Sequence, residues 1–218
     1  PYAELRGVDL KTKTQHPITS GQALDASPAV SPDRTRIAFL RKLPGGPFNV
    51  LVADADGENA TNITPDTLAE SEPAWSHDGS KLFFIQGNRL FMVDPDGGQP
   101  RLFLASPFPI HSIAVSGDGK FIVFSTPRND QYDLYQLPLT TSGPLGIAGI
   151  ESPRYQSPDN EIEPQFAGNG DLFYIKVGRK GEARWRTFVR LKGGAVVPVP
   201  MTPTSLPVMS FVVAPDGN

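Results

Sequence analysis

Four short apolar runs recur along the chain, and a polar turn precedes each of them. The runs are RIAFL, KLFFI, FIVFS and LFYIK, and the turns are SPDR, SHDG, SGDG and AGNG. A short segment with its own apolar residues comes before each turn, as in SPAV, EPAW, SIAV and EPQF. Runs of this length, bounded by Gly, Pro, Asp and Ser, are typical of β-strands. The pattern therefore predicts repeated pairs of strands joined by hairpins.

The repeat has a period of about 45 residues, within the range of four-stranded repeat units. Its turns start at Ser31, Ser76, Ser116, Ala167 and Ala214. Proline at the second turn position presets φ, and Gly79 and Gly119 can adopt the left-handed conformation that closes a hairpin. Further turns, DADGE and DPDGG, separate a second pair of strands. Each repeat is therefore predicted to be a four-stranded antiparallel meander. No segment has a sustained helical period, so we expect almost no helix.

A single four-stranded unit cannot bury both of its faces, whereas several units stacked around a channel can. The strand–S-P-D-G–strand–strand–D-x-D-G–strand unit resembles the TolB-type propeller repeat. That repeat is found in the periplasmic TolB protein and in the non-catalytic propellers of prolyl-oligopeptidase-like and tricorn-like peptidases. The resemblance covers roughly residues 20–218. It implies an all-β fold, a β-propeller of four-stranded antiparallel blades with about five blades in this chain.

We predict one propeller domain over residues 1–218. Four successive blades are expected at 20–64, 65–105, 106–150 and 151–202. Residues 1–19 would supply two strands of a closing blade, and 203–218 would supply its first strand. The chain ends on APDGN, a turn of the kind that starts a strand. We therefore expect a fragment of a longer chain, with six blades in the full protein.

Composition and motifs narrow the chemistry. Twenty Lys+Arg stand against 23 Asp+Glu, which disfavours a nucleic-acid partner. There is no cysteine, no apolar run long enough to insert into a membrane, and no G-x-S-x-G motif. The three histidines share no metal-ligand spacing, and D-x-D-G does not match a calcium-binding loop. We therefore predict a protein that is not an enzyme and has no cofactor or metal.

Three residues near predicted first strands are candidate binding residues. Glu72 and Glu163 precede proline in EPAW and EPQF, and His111 precedes SIAV. The resemblance implies that the first strand is innermost, so both carboxylates would lie at the channel mouth and could bind a cation or a peptide amine. The alternative is that they hydrogen-bond backbone amides of a neighbouring blade, and that His111 is a loop histidine with its own partners. Trp75 and Phe166 are expected to pack between blades.

A basic segment, residues 176–192, is the other candidate. Alternation along a strand places Arg184, Arg186 and Arg190 on one face. They either form a surface for an acidic partner or mark an exposed outer strand whose charge discourages edge pairing. The irregular segment 139–162 is a candidate recognition loop, because long loops without regular structure are often functional.

These features support two main functional hypotheses. The first is a non-enzymatic protein- or peptide-binding scaffold of an exported bacterial protein, periplasmic or extracellular. The alternative is an accessory, substrate-gating propeller of a larger hydrolase, a peptidase or amidohydrolase, with its catalytic domain elsewhere. A structural spacer in a surface protein is a third hypothesis. Self-association through open blade edges is also expected.

Overall fold

The computed structural model describes residues 2–9, 11–66, 68–139, 145–146, 157–178, 186–192 and 195–198. The chain divides into two compact units, Pro1–Leu104 and Ala105–Asn218. Within the described ranges, every regular element is a β-strand. The predicted all-β class is therefore confirmed.

Unit 1 consists of a two-stranded N-terminal sheet followed by two larger sheets, blade 1 and blade 2. Consecutive strands pair with each other, so each sheet is a meander as predicted. The N-terminal sheet contains β1 (Arg6–Val8) and β2 (Gln15–Pro17); blade 1 contains β3 (Leu24–Val30), β4 (Arg36–Lys42), β5 (Phe48–Asp54) and β6 (Thr61–Asn62); blade 2 contains β7 (Ser71–Trp75), β8 (Leu82–Gln86), β9 (Arg89–Val93) and β10 (Arg101–Ala105).

The apolar runs are continuous rather than alternating because both faces of a blade are buried. In β4, Ile37 and Phe39 lie on the face that packs against residues of the N-terminal segment, Leu5 and Ile18. Ala38 and Leu40 lie on the opposite face, in a core shared with blade 2. Burying a large apolar side chain contributes roughly 1.5–3 kcal/mol, so these two cores hold the three sheets of unit 1 together.

Trp75 packs between blades 1 and 2, as the sequence predicts. It is 7% exposed and belongs to the core that contains Val52 of blade 1 and Leu82 of blade 2. Its indole N–H donates a hydrogen bond to the carbonyl of Ala29, 2.9 Å away. The polar edge of this large side chain is therefore satisfied within the core.

Unit 2 contains blade 3 and blade 4. Phe166 packs against Val123 of blade 3 and Tyr174 of blade 4, which confirms its predicted place between blades. Blade 3 contains β11 (Ser112–Val115), β12 (Phe121–Arg128) and β13 (Gln131–Pro138); the two-residue strand β14 (Leu145–Gly146) follows; blade 4 contains β15 (Asn160–Phe166), β16 (Leu172–Val177), β17 (Arg186–Lys192) and β18 (Ala195–Pro198).

The recurring turn is held by one side-chain hydrogen-bond pattern. Ser31 Oγ accepts from the N–H of Arg36 at 2.9 Å and donates to Asp33 Oδ1 at 2.6 Å. The serine hydrogen bond is the main reason that the pKa of Asp33 falls to about 2. Ser76 with Asp78 and Ser116 with Asp118 repeat the arrangement. The predicted left-handed glycines are confirmed, with φ of 72° at Gly79 and 68° at Gly119.

The predicted recognition loop and the predicted closing strand lie partly or wholly outside the described residues. The recognition loop proposed at 139–162 is not irregular throughout, because Leu145–Gly146 is a strand and β15 begins at Asn160. Residues 140–144 and 147–156, and the expected closing strand at 203–218, lie outside the described residues. The domain boundaries stay predictions.

Candidate functional site

The candidate site is the end of each blade at which its first strand begins, here called the leading end. In blade 1, Leu24 at the start of β3 lies opposite Lys42 at the end of β4. The segment leading into blade 2 returns to the same end, because the N–H of Glu70 donates to the carbonyl of Phe48 at 3.0 Å. Each leading end therefore contains the start of the first strand, the hairpin between the second and third strands, and the segment that enters the next blade.

The first strands of blades 1, 2 and 4 share a bulge near the leading end. The residue before proline, Ser27, Glu72 or Glu163, has φ of 48°, 52° or 56° respectively. The register with the second strand shifts at each of these places. A left-handed non-glycine residue costs roughly 1–2 kcal/mol, so three equivalent instances indicate a built-in feature of the repeat.

Glu72 and Glu163 thus occupy equivalent positions, as the sequence predicts. Both are half-buried, and the N–H of Glu163 donates to Ser112 Oγ on blade 3 at 3.1 Å. The Ser112 hydroxyl also bonds the Ser125 hydroxyl at 2.7 Å. The bulge of blade 4 is therefore tied to its neighbour through backbone, and a role for either carboxylate in binding stays a prediction.

His111 lies close to the same serine pair. Its side chain is exposed, and its N–H donates to the carbonyl of Ser125 at 2.9 Å. Its ring meets Tyr132 edge-on, with centroids 5.4 Å apart. The structure thus brings the backbone of His111 and the backbone of Glu163 to one hydrogen-bonded pair, Ser112 and Ser125.

The structure contradicts one of the two predicted interpretations of the basic segment, that of an exposed outer strand. Strand β17 pairs with β16 on one side and β18 on the other, so it is not an exposed edge strand. Charge is tolerated there because Arg190 donates through Nε to Asp171 Oδ2 at 2.7 Å, and its guanidinium lies over the Phe173 ring. Arg186 begins β17, and Arg184 lies outside the described residues.

Sequence reasoning missed a set of buried acids. Asp25, Glu70 and Glu161 each stand two residues before the bulge position, and they are 6%, 3% and 0% exposed. The sequence carries the signal as D-x-S-P in blade 1 and E-x-E-P in blades 2 and 4. A buried charge is costly unless it is paired or neutralised, so each acid needs either a cationic partner or a proton and hydrogen-bond donors nearby.

In blade 1 the solution is an ion pair. Arg41 lies directly opposite Asp25 in the sheet and bonds both carboxylate oxygens, through Nε and one terminal nitrogen, each at 2.7 Å. This bidentate contact is the main cause of the raised pKa of Arg41. The pair fixes the end of β4 immediately before the hairpin that begins at Leu43.

In blade 2 the acid is held by neutral donors. Thr64 Oγ1 donates to Glu70 at 3.0 Å, and the Gln86 amide donates at 3.1 Å. Thr64 also accepts from the N–H of Val50 at 2.8 Å. Burial is the largest effect on Glu70 and raises its pKa to about 7. Glu70 therefore connects the segment between blades to the end of β8.

In blade 4 the acid faces another acid. Ser157 Oγ donates to one oxygen of Glu161, whereas Oε2 has no partner that donates to it among the described residues. Burial, together with the neighbouring Asp133 carboxylate, raises the pKa of Glu161 to about 8. At neutral pH Glu161 therefore keeps its proton beside the Asp133 carboxylate. This contact ties β15 to β13.

The described residues contain no group of three or more His, Cys, Asp or Glu side chains placed to hold a metal ion. In the same part of the chain, no helix is long and apolar enough to cross a membrane.

Comparison with known proteins establishes the fold. No protein-family model matches the chain. The Tol-Pal system protein TolB of Histophilus somni is 36% identical over 80 residues, which are 34% of this chain and 18% of that protein. The crystal structure of TolB from Acinetobacter baumannii superposes with a TM-score of 0.77 over 98% of this chain, at 15% identity. The chain folds as a TolB-like β-propeller.

The likeness has two limits. The TolB-like chain spans 52% of the Acinetobacter protein, so it corresponds to about half of that molecule. The probable dipeptidyl peptidase 4 of Neosartorya fischeri is also similar, 26% identical over 159 residues that cover 69% of this chain and 20% of that protein. The fold is thus shared by proteins of different kinds, and a function has to be argued from the surface of this chain.

Proposed function

We propose that this TolB-like propeller is a non-enzymatic scaffold that binds a protein or peptide partner at the leading ends of its blades. The observation that carries the proposal is the exposure of large apolar side chains on leading-end loops. In unit 1, Leu43 is 61% exposed between β4 and β5, and Leu68 is 54% exposed between β6 and β7. Apolar side chains on loops supported by a sheet are typical of interaction surfaces.

The buried acids support the same proposal. Asp25 binds Arg41, which stands two residues before Leu43. Glu70 accepts a hydrogen bond from Thr64, and both residues belong to the segment that carries Leu68. A loop that is already held in place loses less conformational entropy when a partner binds. The leading ends are therefore built to present apolar side chains in one arrangement.

Glu72 in unit 1, and His111 and Glu163 in unit 2, are proposed partner contacts, because each lies at or near the start of a first strand. Arg190 is a weaker candidate, since Asp171 already engages its guanidinium. We further propose that the protein is exported, and that its likeness to the Tol-Pal system protein TolB reflects a binding role rather than a catalytic one.

The test compares capture of partners by matched variants. The immobilised chain is incubated with extract from its source, and retained proteins are quantified. Leu43→Asp combined with Leu68→Asp should lower capture of a specific protein at least tenfold. Val30→Asp is the control, because Val30 is a similarly exposed apolar residue (58%) at the other end of β3. Equal capture by both variants, or no specific capture by the intact chain, would contradict the proposal.

The second candidate is an accessory propeller of a larger hydrolase. It is favoured by one observation, the similarity of 69% of this chain to a probable dipeptidyl peptidase. The coding sequence that flanks residues 1–218 distinguishes the two. A G-x-S-x-G segment in the same reading frame would support the hydrolase, and its absence together with specific partner capture would support the scaffold.

A further inference from the structure

An apolar pocket lies at the leading end of blade 1, beside the Asp25–Arg41 ion pair. Its volume is about 280 Å³. The N-terminal segment, the start of β3 and the hairpin after β4 form its walls. The residues that line it include Tyr2, Gln22, Ala23, Lys42, Leu43 and Gly45.

Backbone contacts hold the walls in place. The N–H of Ala3 donates to the carbonyl of Ala23 at 3.1 Å, and the N–H of Asp25 donates to the carbonyl of Ala3 at 2.9 Å. The hairpin begins with a tight turn in which the N–H of Gly46 donates to the carbonyl of Leu43 at 3.0 Å. Gly45 has φ of 79°, and a Cβ there would meet no atom within 4 Å, so this wall is open towards solvent.

The rim combines apolar surface with a positive charge. Tyr2 is 62% exposed and Leu43 is 61% exposed. Lys42 is exposed too, and its ammonium lies over the Phe48 ring at 5.7 Å. No carboxylate among the described residues forms an ion pair with Lys42, whereas the adjacent Arg41 is fully engaged by Asp25. Gln22 adds a neutral hydrogen-bond donor to the lining of the same pocket.

We propose that this pocket binds the C-terminal residue of a partner polypeptide, an apolar side chain with its free carboxylate. The volume is at the lower end for ligand pockets and suits one large side chain rather than a longer segment. The carboxylate would lie near the Lys42 ammonium and the Gln22 amide, where charge and hydrogen bonding both favour it. The inference rests on the proposed function, because it names the chemistry recognised at one place on the leading end.

The experiment titrates the isotopically labelled chain with two small probes and follows its amide NMR signals. N-acetyl-phenylalanine carries the free carboxylate, and N-acetyl-phenylalaninamide is the matched neutral probe. We expect saturable shifts of the Leu43, Gly45 and Gly46 amides, with the acid binding at least fivefold more tightly. Equal affinities would overturn the carboxylate assignment, and shifts without saturation would overturn the pocket.

Three variants keep the result interpretable. Leu43→Asp should abolish binding of both probes, because it removes apolar wall and adds a like charge. Lys42→Gln should remove the preference for the acid and leave binding of the neutral probe unchanged. Val30→Asp, at the opposite end of β3, is the control and should leave both affinities unchanged. If Leu43→Asp and Val30→Asp behave alike, the pocket is not the site.

Failure of this inference is separable from failure of the proposed function. If the probes do not bind saturably but partner capture is intact, the pocket proposal alone is contradicted. If the probes bind saturably but no partner is captured from extract, the scaffold function is contradicted and the pocket proposal is supported.

Discussion

Blades 1 and 4 solve one problem in opposite ways. Both bury an acid two residues before the first-strand bulge, Asp25 in blade 1 and Glu161 in blade 4. Asp25 is paired with Arg41, which binds both of its oxygens. Glu161 is held neutral because burial and the nearby Asp133 carboxylate raise its pKa to about 8. The same position is therefore held by an ion pair in blade 1 and by a protonated acid in blade 4.

The difference has consequences for stability. An ion pair leaves a buried charge when one partner is removed, whereas a protonated acid does not depend on a cation. The protonated acid is instead sensitive to pH. Substitutions at equivalent positions of the two blades can separate these behaviours.

The largest effect is expected from Arg41→Met. It leaves Asp25 buried without its partner, and we expect a loss of about 3–5 kcal/mol in the free energy of unfolding. Lys176→Met is the matched change in blade 4, because Lys176 lies opposite Glu161 and pairs with Asp159 instead. A smaller loss, about 1–2 kcal/mol, is expected there, because the Asp159 carboxylate keeps more contact with solvent than that of Asp25 does. Urea denaturation measures both, and equal losses would contradict the distinction between the blades.

A smaller loss is expected from Ser31→Ala in the first turn of blade 1. It removes the acceptor for the Arg36 N–H and the donor to Asp33, at a cost of about 1–2 kcal/mol. The pKa of Asp33 should rise towards its ordinary value. Blade 4 already has Ala167 here, with Asn169 bonding Asp171 in place of the serine pattern. An unchanged unfolding midpoint would show that the serine does not hold the turn.

Glu161→Gln should change the pH dependence of stability. The folded pKa, about 8, lies above the ordinary 4.5, so the folded state keeps a proton that the unfolded state loses. This stabilisation is complete below about pH 4.5 and is lost as pH rises to about 8. Glu70, with its pKa raised to about 7, contributes a similar loss that ends earlier.

Most of the loss between pH 7 and pH 8 is therefore expected from Glu161, because Glu70 is already about half ionised at pH 7. The native protein should lose about 1 kcal/mol over that interval, and Glu161→Gln should lose much less. The glutamine amide can still donate to Asp133, so the variant should fold at neutral pH. Identical slopes for the two proteins would refute a protonated Glu161 at neutral pH.

The smallest effect is a gain. Arg34 has φ of 63° at the turn position where blade 4 has Gly170, with φ of 85°. Arg34→Gly should stabilise the protein by about 0.5–1 kcal/mol, because relief of the left-handed strain exceeds the entropy cost of glycine. Thermal unfolding would measure the gain, and a lower midpoint would show that the arginine side chain contributes contacts of its own.

The sequence predicted the repeat because turn chemistry and apolar runs are local signals. Trp75 and Phe166 could be placed between blades because the propeller resemblance makes their strands the first, innermost strands of blades. The buried acids could not be recognised, since a carboxylate at the start of a strand is ordinarily exposed. Their burial depends on groups brought together by folding, such as Asp133 beside Glu161. The partner of Arg190 was hidden for the same reason.

We propose that the loops held in place by the first-strand acids form the surface that contacts a partner. The most direct test places a photo-crosslinking amino acid at Leu43 or Leu68, at leading ends, and at Val30 or His77, at the opposite ends of blades 1 and 2. Irradiation in extract from the source should join one partner to the protein from Leu43 and Leu68 only. Crosslinks formed equally from Val30 and His77, or from those two positions alone, would contradict the claim.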